Sequence, residues 1–201
     1  MNLNEIIKKR INEFELLGEK GHVAFDFRPF YNIKIKATVV SELAFCISTA
    51  NSSALSGLKF QKLIEDKNLE RFETKDLEFL LKKSGVRFYK RKAEYICSVV
   101  TNFDHVERAL RKDDFSARKD LLKIKGLGFK ESSHFLRNVG RKNLAIIDRH
   151  VLRWLGVDCH PSPKSYISIE ESLRKIAENR GITLAELDLF IWFDMTGKIL
   201  K

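Results

Sequence analysis

The sequence predicts an all-helical (all-α) protein. Three observations carry that expectation. Apolar residues return every three or four positions through most of the 201 residues. The breaks between these stretches fall at Gly, Pro, Ser and Asn. Strand-like alternation is scarce, its clearest case being His22-Val23-Ala24-Phe25-Asp26-Phe27.

The elements follow in order. The N-terminal periodic stretch places a helix over 4–17, and residues 18–36 carry the weakest signal. There the alternating His22–Phe27 segment is read as irregular chain pinned by its aromatics rather than as a strand. Apolar spacing predicts helices over 37–50, 57–66 and 75–83. Ser84-Gly85 breaks the chain before a helix over 87–101, followed by helices over 104–111 and 115–122. Leu121, Leu122 and Ile124 are suited to pack one helix onto the next across Gly126 and Gly128. A helix over 129–139 ends where Gly140 supplies a left-handed C-cap. The apolar run Leu144-Ala145-Ile146-Ile147 leads to Asp148, which opens a helix over 148–155. The last helices are expected over 167–179 and 184–195, the second started by capping-box spacing in Thr183-Leu184-Ala185-Glu186.

A formal net charge of +10 and a pI near 9.5 favour a polyanionic partner, without separating nucleic acid from an acidic membrane or protein. Cys46, Cys97 and Cys159 are widely spaced and form no C-x-x-C pair. That argues against a disulfide framework and against a structural zinc or iron-sulfur site, and it suits a reducing compartment. No apolar run approaches membrane-span length, and Met1-Asn2-Leu3-Asn4-Glu5 has no signal-peptide character. A soluble protein of the prokaryotic cytoplasm is expected, with no metal or other cofactor and no obligate protein partner.

Gly126 and Gly128 in Ile124-Lys125-Gly126-Leu127-Gly128-Phe129-Lys130 let the backbone turn tightly and present amide N–H groups at a helix N-terminus, a combination that favours a phosphate. A plain helix-turn-helix corner needs the same glycines. The lysine that follows and the aspartate at 148 shift the balance toward chemistry on DNA.

These residues resemble a family. Gly126 to Lys130 followed by Asp148-Arg149-His150 is similar to the hairpin, lysine and aspartate of the helix-hairpin-helix DNA glycosylase superfamily. The wider match takes in Glu42 to Cys46, Thr49 to Ser53, Lys130 to Gly140 and the tail from Trp192 to Lys201. It resembles the branch of 8-oxoguanine DNA glycosylase/AP lyases that lacks the N-terminal β domain of the larger eukaryotic-type enzymes. The resemblance implies a two-lobed fold, one lobe about 42–139 and the other 1–41 with 140–201. It also implies a cleft between the lobes and, as partner, double-stranded DNA containing oxidised guanine.

Lys130 is the expected nucleophile. An amine attacks the anomeric carbon of a nucleoside only when unprotonated, and a free lysine titrates at about 10.4, so burial or neighbouring cations such as Arg149 or Lys125 are required to favour the neutral form. Departure of the base would leave an imine that supports elimination of the 3′ phosphate. Asp148 is the expected electrostatic partner of the positive charge that builds on the sugar. An N-cap of the following helix is its ordinary alternative and is compatible with that role. The resemblance implies phosphate contacts for Arg149 and His150, which are equally readable as surface residues.

A glycosylase must extrude the nucleotide it attacks. Asn51 is suited to hydrogen-bond the orphaned base, or simply to end a helix. Phe88 lies in Lys82-Lys83-Ser84-Gly85-Val86-Arg87-Phe88-Tyr89-Lys90-Arg91-Lys92, where interleaved cations and aromatics favour a wedge between bases, with an inward-facing ring as the alternative. Trp192 offers a flat surface for a flipped purine, or a core side chain. The resemblance brings Lys201, the last residue of the sequence, into the base pocket, against the default of a frayed end. Two rivals stand beside 8-oxoguanine excision: a glycosylase for another damaged base, and a non-catalytic hairpin DNA-binding protein.

Overall fold

The computed structural model describes residues 2–158 and 161–201, so that Cys159 lies outside the described residues. The first helix, α1 (Leu3–Lys20), starts because Asn2 and Glu5 form a reciprocal capping box, and it stops at Gly21 in the left-handed region. Ile7, Ile11, Phe14 and Leu17 turn one face of it inward. At Gly18 an added Cβ would sit 2.2 Å from the Val139 carbonyl oxygen. Only a glycine lets this helix approach the backbone there.

The chain is mostly helical, as expected, with one local exception. His22–Asp26 (β1) pairs antiparallel with Lys34–Thr38 (β2), with Phe25 opposite Ile35 and Ala24 opposite Lys36. The expected irregular segment is therefore a hairpin, and its alternation has the usual strand meaning: Phe25, Ile35 and Ala37 are buried while Lys34 and Lys36 face water. The hairpin lies against α1, and Thr38 caps the next helix, so it serves as a clip between two helices.

The remaining elements are α2 (Val39–Thr49), α3 (Ala54–Leu63), a 3-10 turn at Leu69–Arg71, α4 (Thr74–Lys83), α5 (Tyr89–Thr101), α6 (Asp104–Leu110), α7 (Asp114–Leu121), α8 (Phe129–Asn138), α9 (Arg149–Trp154), α10 (Pro163–Asn179) and α11 (Leu184–Thr196). Each α-helix corresponds to one expected from the apolar spacing, whereas the 3-10 turn does not. Two differ most in extent: α3 spans Ala54–Leu63 rather than 57–66, its start set by the Ser53 N-cap, and α10 begins at Pro163 rather than 167 because Ser162 caps it and proline suits the first helical position. Among the described residues, no helix is long and apolar enough to cross a membrane.

Among the described residues, nearly all buried apolar side chains fall into two clusters. The larger runs from α1 through the hairpin to α8 and Leu144; the smaller joins Ala145, Ile147, Val151, Leu152, Tyr166, Leu173 and Ala177. Helix α11 belongs to both, giving Ala185 and Leu189 to the first and Leu184, Leu187 and Ile191 to the second. A helix packed from two sides has no polar stripe, which is why its sequence reads as apolar all round.

Candidate active site

Helices α7 and α8 flank residues 122–128, which form the hairpin. The Leu127 N–H bonds to the Ile124 carbonyl at 3.1 Å and closes the turn, and Leu127 is buried while Lys125 and Gly128 are exposed. Gly126 has φ +92°, and a Cβ there would lie 2.6 Å from the Tyr95 ring, so both conformation and space demand glycine. Gly128 is different. Its φ is −88°, an ordinary extended value, and it serves as the N-cap of α8 without a side-chain cap bond. The expectation that both glycines make the turn is corrected to Gly126 alone; Gly128 leaves the first N–H groups of α8 open to an incoming anion.

Lys130 stands in that first turn, 27% exposed, with Nζ 3.4 Å from Glu131 Oε1. From Ser132 to Val139 the helix is buried on every side. One turn on from Lys130, the His134 ring packs edge-on to Phe45 at 5.8 Å, and burial first, then the charges of Arg137, Lys130 and Lys201, push its pKa well below the usual histidine value. A neutral imidazole thus sits beneath the lysine.

Asp148 reaches the site from the other core. The segment before it is not helical, so its backbone groups need partners. Glu170 accepts the Ala145 N–H at 2.8 Å, and the Tyr166 hydroxyl accepts the Ile147 N–H at 3.2 Å while donating to the Ala145 carbonyl at 2.8 Å. Glu170 is itself held by both guanidinium nitrogens of Arg118 on α7, at 2.7 and 2.8 Å. Asp148 then caps α9, its Oδ1 accepting from the N–H groups of His150 (2.8 Å) and Val151 (3.0 Å). The N-cap role is real.

Asp188 on α11 feels the charges of both Lys130 and Asp148. Asp188 is 3.2 Å from Arg137 Nη1, and its pKa is raised to about 6, first by burial and then by the charge of Asp148, against the lowering effects of Arg137 and Lys130. An amine and a carboxylate far apart in sequence thus both act on one buried acid.

The extrusion candidates come together as well. A cleft of about 620 Å³ is lined by Asn51, Phe88, Lys92, Tyr95 and Gly126, among others. Asn51 (φ +52°) and Phe88 (φ +56°) are both left-handed without being glycine; asparagine takes this conformation readily in the turn closed by the Ser52 N–H and the Thr49 carbonyl, whereas Phe88 carries a strain of about 1–3 kcal/mol of the kind that clusters at functional sites. Asn51 is exposed and lies one residue beyond the α2 C-cap, Ala50, so it does not itself end the helix. Phe88 is 60% exposed, which rules out an inward-facing ring. Around it Lys82, Lys83, Arg87, Lys90 and Arg91 are exposed.

Trp192 is half-buried and meets the His150 ring edge-on at 4.9 Å, with His150 Nδ1 and Trp192 Nε1 both buried and unpartnered among the described residues. Arg149 is exposed on the first turn of α9. Lys201 is not frayed. Its side chain is fully buried, donating to Glu42 Oε2 at 2.6 Å and to Gln61 Oε1 at 2.5 Å, with the rings of Phe25 and Phe45 at 4.1 and 4.3 Å.

Residues 21–182 match the family model described as 8-oxoguanine DNA glycosylase. A protein of Aquifex aeolicus named 8-oxoguanine DNA glycosylase/AP lyase is 40% identical over 99% of this chain and 94% of its own length. This chain belongs to the 8-oxoguanine DNA glycosylase family. Among solved structures, the 8-oxoguanine DNA glycosylase of Thermotoga maritima superposes with a TM-score of 0.84 at 33% identity, covering 98% of this chain and 92% of that one. The 8-oxoguanine glycosylase/lyase of Methanocaldococcus jannaschii, in complex with a 15mer DNA containing 8-oxoguanine, does so at 0.82 and 38% identity, covering 100% and 94%.

Within this glycosylase-family fold, the sequence alone did not single out Glu42, Ser52, Lys92, Glu170 or Asp188 as site groups. Glu42 and Asp188 each carried a signal, an acid inside an otherwise apolar run.

Proposed function

We propose that the protein excises 8-oxoguanine from duplex DNA and nicks the resulting abasic strand, working in a prokaryotic cytoplasm. The observation that supports this reading most is the match of residues 21–182 to the 8-oxoguanine DNA glycosylase family, with Lys130 in the first turn of α8 beside a hairpin that presents open amide groups.

In the proposed reaction, the Lys130 amine attacks C1′ of the extruded nucleotide, and the base leaves with the electrons of the glycosidic bond and takes up a proton. The amine nitrogen gives up one proton, and its lone pair then forms the C1′=N bond as the C1′–O4′ bond breaks and O4′ takes up a proton, which leaves the protonated imine. Removal of a C2′ proton then expels the 3′ phosphate and breaks the strand. Asp148 supplies negative charge where the sugar becomes positive. Asn51 and Phe88 occupy the space that the nucleotide vacates. Lys125, Gly126, Gly128, Arg149 and His150 hold phosphates, while Trp192 and Lys201 shape the base pocket. The lobes 42–139 and 1–41 with 140–201 belong to the same reading, with Asp148 and Lys130 on either side of the cleft.

The deciding experiment is incubation with an 8-oxoguanine:cytosine duplex, with and without borohydride. Trapping of a covalent adduct by the natural protein and its loss in Lys130→Gln are expected. An adduct that persists in Lys130→Gln would overturn the assignment, and binding with no cleavage would leave a DNA-binding protein instead.

A further inference from the structure

The turns that carry Asn51 and Phe88 come from separate parts of the chain, yet a small polar cluster joins them. Ser52 Oγ accepts the Arg87 backbone N–H at 2.8 Å, one residue from each of the two side chains. The same oxygen accepts from Lys92 Nζ at 3.0 Å. Lys92 also donates to the Ser48 carbonyl at 2.8 Å and to the Ala50 carbonyl at 2.6 Å, which are among the last acceptors of α2. All three ammonium protons therefore have partners on the Asn51 side, while the lysine backbone lies in the first turns of α5, the helix that Phe88 caps.

We infer that Ser52 and Lys92 are positioning residues for base extrusion, a clamp that fixes the span between Asn51 and Phe88. The inference rests on the reading of those two side chains as the groups that enter the duplex.

Lys92 is the one buried cation in a run whose other cations face water. Burial, and after it the charge of Lys130, lowers its pKa to about 8, so keeping an ammonium there is costly. A fold that needed only packing at this point would be better served by an apolar side chain. What the ammonium adds is direction: three bonds set where one turn stands relative to the other. Phe88 holds a left-handed backbone conformation, which persists only when its surroundings over-determine it. The two residues must fill a gap of fixed size in a base stack, so a loose span wastes the contact energy needed to keep the nucleotide out.

The consequence is selective. Loosening the clamp slows extrusion from a paired duplex but spares a lesion that has no partner to leave. The test is single-turnover excision of 8-oxoguanine placed opposite cytosine and, separately, opposite an abasic-site analogue, for Ser52→Ala, Lys92→Met, Asn51→Ala and Phe88→Ala. Ser52→Ala and Lys92→Met are expected to slow excision on the paired duplex on the order of ten-fold, as for loss of a charge-assisted hydrogen bond, and by no more than about three-fold opposite the abasic analogue. Equal slowing on both duplexes, or no slowing, would overturn the clamp. Ser52→Ala removes a single hydroxyl and keeps the test informative where Lys92→Met fails to fold. Pair-selective loss in Asn51→Ala and Phe88→Ala without loss in the clamp variants would sink the clamp alone. Absence of that selectivity in Asn51→Ala and Phe88→Ala would sink the underlying reading, and the clamp with it.

Discussion

Lys201 Nζ lies 2.6 Å from Glu42 Oε2, with both side chains fully buried, so the last residue of the sequence is anchored to a helix 159 positions earlier. Glu42 also accepts from Gln61 at 2.8 Å and from Asn138 at 2.6 Å, and the backbone of Lys201 lies beside the His134 ring. The anchor therefore fixes where the tail meets the face of α8 that carries Lys130.

Lys201→Met strands a buried carboxylate, and a loss of about 3–5 kcal/mol in urea unfolding is expected. Pairing it with Glu42→Gln should cost less than the sum of the single changes, because the stranded charge is gone. Deleting Lys201 is expected to reduce preference for 8-oxoguanine over guanine more than it reduces DNA binding. Unchanged preference would remove the tail from base selection.

The two hairpin glycines should separate in their effects. Gly126→Ala combines a left-handed backbone with a collision against Tyr95, and a loss of about 2–4 kcal/mol is expected. At Gly128 the nearest atom to an added Cβ is Glu131 Oε2 at 3.1 Å, the far end of a flexible side chain. Gly128→Ala should stay within about 1 kcal/mol of the natural stability yet lose DNA affinity on the order of ten-fold, since a methyl group stands where a phosphate would approach the open amides. Melting curves and a binding titration at fixed salt measure the two. Unaltered affinity in Gly128→Ala would remove the α8 N-terminus from the interface.

The pattern of legibility has a physical basis. Helices α1 to α11 were readable because each buries a face repeated at helical spacing, and caps such as Thr183 with Glu186 formed as the spacing indicated. The β hairpin escaped because its strands have five residues each and its pairing joins segments separated by seven residues, a contact that periodicity cannot register. Lys130 and Asp148 were legible through their local settings, a glycine hairpin and a helix start. Lys92 was not, because its importance lies in contacts between distant segments, and Glu42 and Asp188 showed only as acids inside apolar runs. Phe88 was ambiguous in sequence, since an interleaved basic-aromatic run is compatible with either orientation of its ring.

Acid should act on Asp188 in a recognisable way. Its pKa is raised to about 6 in the folded protein, against about 3.9 in an unfolded chain, so between those values the folded state holds a proton that the unfolded state has released. On this group's account stability falls as pH rises from about 4 to 6. His134 acts oppositely: its lowered pKa makes the unfolded chain the first to take up a proton, and stability drops as pH falls through about 6.5. A difference between variant and natural protein isolates one group. Asp188→Asn should gain stability relative to the natural protein between pH 4.5 and 6.5, on the order of 1–3 kcal/mol in urea unfolding. A difference that does not change with pH would mean that Asp188 ionises alike in both states.

Asp148 serves two purposes that one substitution can divide. Both cap bonds fall on Oδ1, and among the described residues Oδ2 accepts no hydrogen bond, so capping uses only half of the carboxylate. The amide oxygen of asparagine caps nearly as well as aspartate, and Asp148→Asn should keep stability to within about 0.5 kcal/mol. Asp148→Ala removes the cap and should cost about 1 kcal/mol. What the amide cannot supply is negative charge beside a sugar that becomes cationic as its base departs. Single-turnover excision by Asp148→Asn is therefore expected to fall on the order of a hundred-fold or more, with DNA affinity changed only slightly. Excision at the natural rate by this variant would reduce Asp148 to a helix cap and leave the charge on the sugar to be stabilised elsewhere.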